Sequence, residues 1–189
     1  IDYRLLYPEF TMSPIKPDLS HVTTVTAVSR VGKTTFILNT MLHFTNINWL
    51  FLSYDMSRTT IIANMWNIVH GWRLEKGTRV ATKAEEEDFN LCTNHITVID
   101  RAIPINDLGK TFEYIQASTG KQYKAVVLDY IQMIPPSRIN SSDTEKATEI
   151  AMAVRQFAKD YKVAPFLLSQ VPMEKAGEGE IELPLYAAK

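Results

Sequence analysis

The chain has 189 residues, 46% hydrophobic and 22% charged, and its 20 Lys and Arg against 21 Asp and Glu leave a net charge of −1. That is enough apolar sequence for the core of one domain, or most of one, and the neutral balance excludes a basic nucleic-acid tail and an acidic solvating arm. The single cysteine, Cys92, excludes a disulfide framework and a cysteine-rich zinc module and points to a reducing compartment, while no apolar run approaches the ~20 residues of a membrane span.

The opening IDYRLLYPEF lacks the basic start and apolar stretch of a signal peptide, and it carries no initiator methionine, as a fragment would. Residues 1–20, with Pro8, Pro14 and Pro17, read as an irregular lead-in, ahead of one domain over 21–189. Val22 to Val28 (VTTVTAV) is β-branched and predicts a buried strand. A helix is expected from Lys33 to about Phe44, and WLFLS (Trp49 to Ser53) predicts a second strand. Ser57 can cap the next helix, whose Ile61, Ile62, Met65, Trp66 and Val69 share one face.

Residues 73–95 are charge-rich, with a helix expected around Ala84 to Cys92; its acidic run Glu85 to Asp88 suits the positive end of the helix dipole. ITVI (Ile96 to Ile99) predicts a third strand. Pro104 is tolerated in a first helical turn, Leu108, Phe112 and Ile115 follow at helical spacing, and Gly120 closes that helix. AVVL (Ala125 to Leu128) predicts a fourth strand that runs into Asp129. After a polar loop from Pro135 to Ser142, Ser142 and Glu145 match a capping box, and the helix beyond puts Ile150, Ala151, Val154, Phe157, Ala158 and Tyr161 on one side. APFLLS (Ala164 to Ser169) predicts a fifth strand, and Val171 to Lys189 shows no clear element. Strands alternating with helices imply an α/β fold with a mainly parallel sheet.

The segment Ala27-Val28-Ser29-Arg30-Val31-Gly32-Lys33-Thr34 follows a strand and opens a helix, the setting a phosphate-binding loop requires. Backbone N–H groups from Ser29 to Thr35 can cradle phosphate oxygens, helped by the partial positive charge of a helix N-terminus. Lys33 would reach the outer phosphates and the Thr34 hydroxyl would hold Mg²⁺. Ala27 stands where the general pattern has glycine, and an ordinary strand–turn–helix joint is the bland alternative.

Asp129 follows an apolar strand directly, and a carboxylate there is costly to bury without a partner. It reads as a Mg²⁺ ligand acting through water, or as a strand-end aspartate capping a turn. Asp55 follows WLFLS and could orient or deprotonate an attacking water, although by position alone a turn aspartate beside Ser57 is simpler. Gln170 could hydrogen-bond a γ-phosphate, or be a polar loop residue. In a parallel sheet, Lys33, Asp55, Asp129 and Gln170 all project at the carboxyl edge, where ligands bind. His21, His43, His70 and His95 lack metal-ligand spacing and read as structural; Trp49, Trp66 and Trp72 read as core or interface, and Cys92 as an inert helix residue.

These motifs resemble those of the ATPase domain of DnaB-type hexameric replicative helicases, built on the RecA-like P-loop NTPase core. That family starts its phosphate loop with Ala or Gly, which accommodates Ala27. Leu52-Ser53-Tyr54-Asp55-Met56-Ser57 resembles its "SLEMS" motif, Leu128-Asp129-Tyr130-Ile131-Gln132 its "DYLQ" Walker B segment, and Leu168-Ser169-Gln170 its "LSQ" phosphate-sensing motif. Ala147 to Val163 is similar to the helix before that last strand, so the likeness runs from about Val22 to Gln170.

The resemblance implies ATP and Mg²⁺ as ligands, hydrolysis with Asp55, Lys33 and Gln170 as the catalytic set, and Thr34 and Asp129 at the metal. It further implies a homo-oligomer, as a hexameric ring, translocating on single-stranded DNA in the cytoplasm, at the nucleoid, or in a host cytoplasm if the source is a phage. DNA would meet the loops after the fourth and fifth strands, here Pro135 to Ser142 and Val171 to Glu182, through Arg138, Lys146 and Lys175. There are three departures. Asp55 replaces the family's glutamate and is one methylene shorter; Val171-Pro172-Met173 replaces a basic residue expected soon after "LSQ"; and the arginine finger and last strands would lie beyond Lys189, as in a truncated module. A RecA- or RadA-like recombination ATPase, and a degenerate nucleotide-binding assembly module, are the two alternatives.

Overall fold

A computed structural model of the protein describes residues 19–28, 31–71, 79–136 and 142–171. Ser29, Arg30, Trp72, Arg138, Lys175 and most of the lead-in therefore lie outside the described residues, as does everything after Val171.

Five strands form one all-parallel sheet: β1 (Thr23–Val28), β2 (Asn48–Ser53), β3 (Ile96–Ile99), β4 (Tyr123–Asp129) and β5 (Ala164–Val171), in the spatial order β1-β5-β4-β2-β3. Helices α1 (Lys33–His43), α2 (Arg58–His70), α3 (Lys83–Thr93), α4 (Leu108–Thr119) and α5 (Asp143–Tyr161) follow in chain order. A sheet packed on both faces needs strands apolar at every position. β2 meets this need by alternation. Trp49 and Phe51 pack on one side with Ile37, Leu38 and Met41 of α1, Ile61, Met65 and Trp66 of α2, and Phe89 of α3. Leu50 and Leu52 pack on the other with Leu108, Phe112 and Ile115 of α4 and Ile150, Val154 and Phe157 of α5. The sheet is thus the middle of three layers with a core on each side.

Local chemistry sets the helix boundaries. The Ser57 hydroxyl accepts from the Thr60 N–H at 3.2 Å to open α2. Ser142 and Glu145 form the reciprocal capping box expected from sequence, with Ser142 N–H donating to Glu145 Oε2 at 2.8 Å and Glu145 N–H to Ser142 Oγ at 3.3 Å. Thr82 and Glu85 build a second box that opens α3, so the acidic run does cap a helix. Gly120 ends α4 at φ 66°, a left-handed conformation that favours glycine. Pro104 leads into a short 3₁₀ turn (Ile105–Asp107) rather than directly into α4.

One expected face needs correction. Ile150, Val154, Phe157 and Ala158 are buried, but Ala151 is exposed. It sits one position round from the Ile150–Val154–Phe157 stripe, and a methyl group is too small to draw that side of the helix inward. Trp49 and Trp66 are core residues, and the buried ring of His95 bonds the Met41 carbonyl through Nε2 at 2.8 Å. Among the described residues no helix is long and apolar enough to cross a membrane.

Candidate nucleotide-binding site

The carboxyl ends of β1, β5, β4 and β2 share one edge because the sheet is parallel. On it the chain turns from β1 into α1 through Val31 and Gly32. Gly32 caps α1 at φ 94° and ψ 23°, and its carbonyl accepts the Phe36 N–H at 2.8 Å. A side chain at that φ would be strained, so the glycine is required by the backbone rather than by lack of space.

Lys33 and Thr34 are the first two residues of α1. The Lys33 ammonium donates to the carbonyls of Ala27 (3.1 Å) and Val28 (3.0 Å), which holds it at the mouth of its own loop. The Thr34 hydroxyl donates to Asp129 Oδ2 at 2.9 Å, joining two residues 95 positions apart. Asp129, the last residue of β4, is only 4% exposed. Burial pushes its carboxyl above the ordinary range; the Thr34 hydrogen bond opposes this, the Asp55 charge adds to it and the Lys33 charge opposes it. Thr34, Asp55 and Lys33 therefore all act on the Asp129 carboxyl.

Asp55 reaches that edge on a tight turn. Ser53, in register with Asp129 on the neighbouring strand, donates from Oγ to the Met56 carbonyl at 2.7 Å and accepts the Met56 N–H at 3.1 Å. The ladder continues one step further as Tyr54 N–H donates to the Asp129 carbonyl at 2.8 Å. Asp55 projects from this turn as an exposed carboxylate. Gln170 lies on β5, in register with Ala27 of β1. Val31 and Thr35, flanking the loop glycine and lysine, are exposed.

Hard oxygen donors suit Mg²⁺, which takes one or two carboxylates and completes its shell with phosphate and water. The hydroxyl of Thr34 and the carboxylate of Asp129, in contact at 2.9 Å, fit such an ion. Among the described residues no group of three or more His, Cys, Asp or Glu side chains gathers elsewhere to hold a metal.

Two further residues have roles that sequence alone does not assign, Gln132 among them although it ends the Walker B-like segment. Asp100 also follows an apolar strand, yet its Oδ2 accepts the Arg58 N–H at 2.7 Å at the start of α2, so it serves as a helix cap. Gln132 lies on the 3₁₀ turn Ile131–Met133 after β4 and bonds the main chain of Gln170. Lys146, the one described member of the proposed DNA-contacting set, donates from Nζ to the Gln132 carbonyl at 2.8 Å.

The family model for the DnaB-like helicase C-terminal domain matches residues 18–179. No curated protein matches the chain. Among solved structures, one similar chain is a DnaB-like replicative helicase, described with its interactions with primase: TM-score 0.69, 17% identity, covering 86% of this chain and 42% of that one. Another is the ATPase domain of a second protein: TM-score 0.66, 17% identity, covering 84% of this chain and 60% of that one. At such identity the likeness is one of fold, and this chain spans about 42% and 60% of the lengths of those two.

Proposed function

The chain belongs to the DnaB-like helicase C-terminal domain family, and from that membership we propose that it binds ATP with Mg²⁺ at the carboxyl edge of its RecA-like sheet and hydrolyses it to drive movement on single-stranded DNA. The observation that carries this reading is the 2.9 Å contact between Thr34 Oγ1 and Asp129 Oδ2, which brings the phosphate loop and the strand-end acid together.

In this reading the backbone N–H groups of residues 29–35 cradle the phosphates, with the α1 dipole behind them. Lys33 exchanges its two carbonyl acceptors for the outer phosphate oxygens. Thr34 and Asp129 hold the ion, which when bound neutralises charge on the β- and γ-phosphates. Asp55, exposed on its turn, accepts a proton from the attacking water and aims it in line. Gln170 offers its amide to the γ-phosphate. The DNA contact, through Arg138, Lys146 and Lys175, and assembly as a hexameric ring rest on family membership.

The test is titration of the purified chain with a fluorescent ATP analogue in Mg²⁺, followed by hydrolysis with and without single-stranded DNA. The native sequence should bind, and Lys33→Ala should weaken binding by about ten- to a hundredfold, the range for loss of a charged hydrogen bond. Equal affinity in the two proteins, or no binding by either, would overturn the reading.

A further inference from the structure

The β4–β5 ladder ends at the pair Leu128↔Leu167, while β5 continues to Val171 alongside β1. Beyond Leu167, therefore, β5 has lost its β4 neighbour, because the chain leaves β4 at Asp129 and enters the 3₁₀ turn Ile131–Met133. A main-chain N–H and C=O at such a position need other partners.

Gln132 supplies them. Its Nε2 donates to the Gln170 carbonyl at 2.9 Å, and its Oε1 accepts the Gln170 N–H at 3.3 Å. The same Nε2 lies 3.3 Å from Ser169 Oγ, to which it also donates. A primary amide carries the donor and acceptor of a peptide unit, so this side chain stands in for the strand that has departed. The turn bearing it is itself held: Met133 N–H donates to the Tyr130 carbonyl at 3.0 Å, and the Lys146 ammonium of α5 donates to the Gln132 carbonyl at 2.8 Å.

Fixing both main-chain polar groups of a residue fixes the direction in which its Cα–Cβ bond leaves the strand. We propose that Gln132 is a positioning residue for Gln170: its two-point hold on the Gln170 backbone sets where the Gln170 amide meets the terminal phosphate, at a fixed offset from the metal ligand Asp129, which ends β4 three residues before Gln132. This inference rests on the reading of Gln170 as the γ-phosphate contact. Gln132 touches neither substrate nor metal in this scheme and acts only through Gln170.

The experiment measures the affinity of the full chain for ADP and for a non-hydrolysable ATP analogue in Mg²⁺. Gln170→Ala should lower the preference for the triphosphate by about tenfold, as loss of a hydrogen bond to a charged group does. Gln132→Met, of similar length but without the amide, should lower that preference comparably and leave ADP affinity within about twofold of the native value. The double variant should lose no more than Gln170→Ala alone, because residues that act through one another are not additive. Gln132→Asn, which keeps the amide on an arm too short to reach, should repeat the result. Hydrogen exchange at the Gln170 amide should quicken in Gln132→Met while Leu168 stays protected. A native preference in Gln132→Met, equal losses for both nucleotides, or additive losses in the double variant would overturn the proposal. If Gln170→Ala alone keeps its preference, the γ-phosphate reading fails first and this inference falls with it.

Discussion

Thr34 and Asp129 meet at 2.9 Å although the strands that deliver them are not neighbours: β5 lies between β1 and β4. The hydroxyl arrives from the first turn of α1, past the strand end it must clear, and the carboxylate from the last residue of β4. Their contact crosses the end of β5, which brings Gln170 to the same edge. One crossing thus brings the Thr34 hydroxyl, the Asp129 carboxylate and Gln170 to one edge from three strands.

The stability consequence of this assembly falls first on the Asp129 carboxyl. Burial holds its pKa above the ordinary carboxylate range, so the folded chain binds that proton more tightly than the unfolded chain. The ionised group therefore weakens the fold above its folded pKa, and this penalty shrinks as pH falls through that value and is gone below the unfolded pKa. Asp129→Asn retains an acceptor for Thr34 and should raise the melting temperature of the nucleotide-free chain near neutral pH by about 2–4 °C, the shift for ~1 kcal/mol in a domain of this size. The advantage should vanish in acid. The same variant should lose the stabilisation that Mg²⁺ with ATP gives the native chain. Thermal unfolding of both proteins across pH, with and without nucleotide, checks both halves.

Asp55 presents its carboxylate from an exposed turn pinned by Ser53, so lengthening it by one methylene meets no packing obstacle. A base about 1 Å out of place can lose on the order of a hundredfold in rate. Asp55→Glu should therefore raise kcat by about tenfold or more with little change in KM, and Asp55→Asn should abolish turnover while retaining nucleotide binding. Steady-state hydrolysis decides it. Equal, negligible turnover in the native chain and in Asp55→Glu would favour a nucleotide-binding assembly module instead.

Away from the site, Gly109 lets α4 close on α5. A Cβ at this position would lie 2.9 Å from the Tyr161 hydroxyl and 3.3 Å from Cε2 of its ring. That hydroxyl donates to Glu113 Oε1 at 2.7 Å, and the ring packs edge-on against Phe112 at 5.1 Å. Glycine to alanine in a helix ordinarily adds 0.5 to ~1 kcal/mol. Here Gly109→Ala should instead destabilise by about 1 kcal/mol, because the tyrosine must swing away from Glu113 and Phe112. In a Tyr161→Phe background the loss should shrink. Denaturant unfolding of the four proteins gives the coupling directly, and a stabilising Gly109→Ala in the native background would refute this account.

How legible all this was depended on whether the cause was local. The strands announced themselves because a sheet covered on both faces must be apolar at consecutive positions, as WLFLS and AVVL are. Ser57 and the Ser142–Glu145 box were legible because a cap needs only residues three apart. Gly32, Lys33 and Thr34 were legible as one turn. The order β1-β5-β4-β2-β3 was not, since nothing in any strand names its neighbour. Asp100 and Asp129 look alike in sequence, each an acid after an apolar run, and only tertiary placement makes one a helix cap and the other a partner of Thr34. Gln132 stands at the end of the LDYIQ segment, yet its role was not legible for a related reason: the main chain it holds is 38 residues away.

Among the described strands, β1 sits at the sheet margin with β5 as its one lateral neighbour, and some 140 residues separate the two in the chain. Of the described strands, those completed through Asp129 can make the β2–β3 and β2–β4 pairings, but the one that flanks β1 is not yet among them. Among the described elements, the strand that leads into the GKT turn is therefore among the last to be seated, and a nascent chain stalled before Ala164 would carry that turn without the described strand that flanks it.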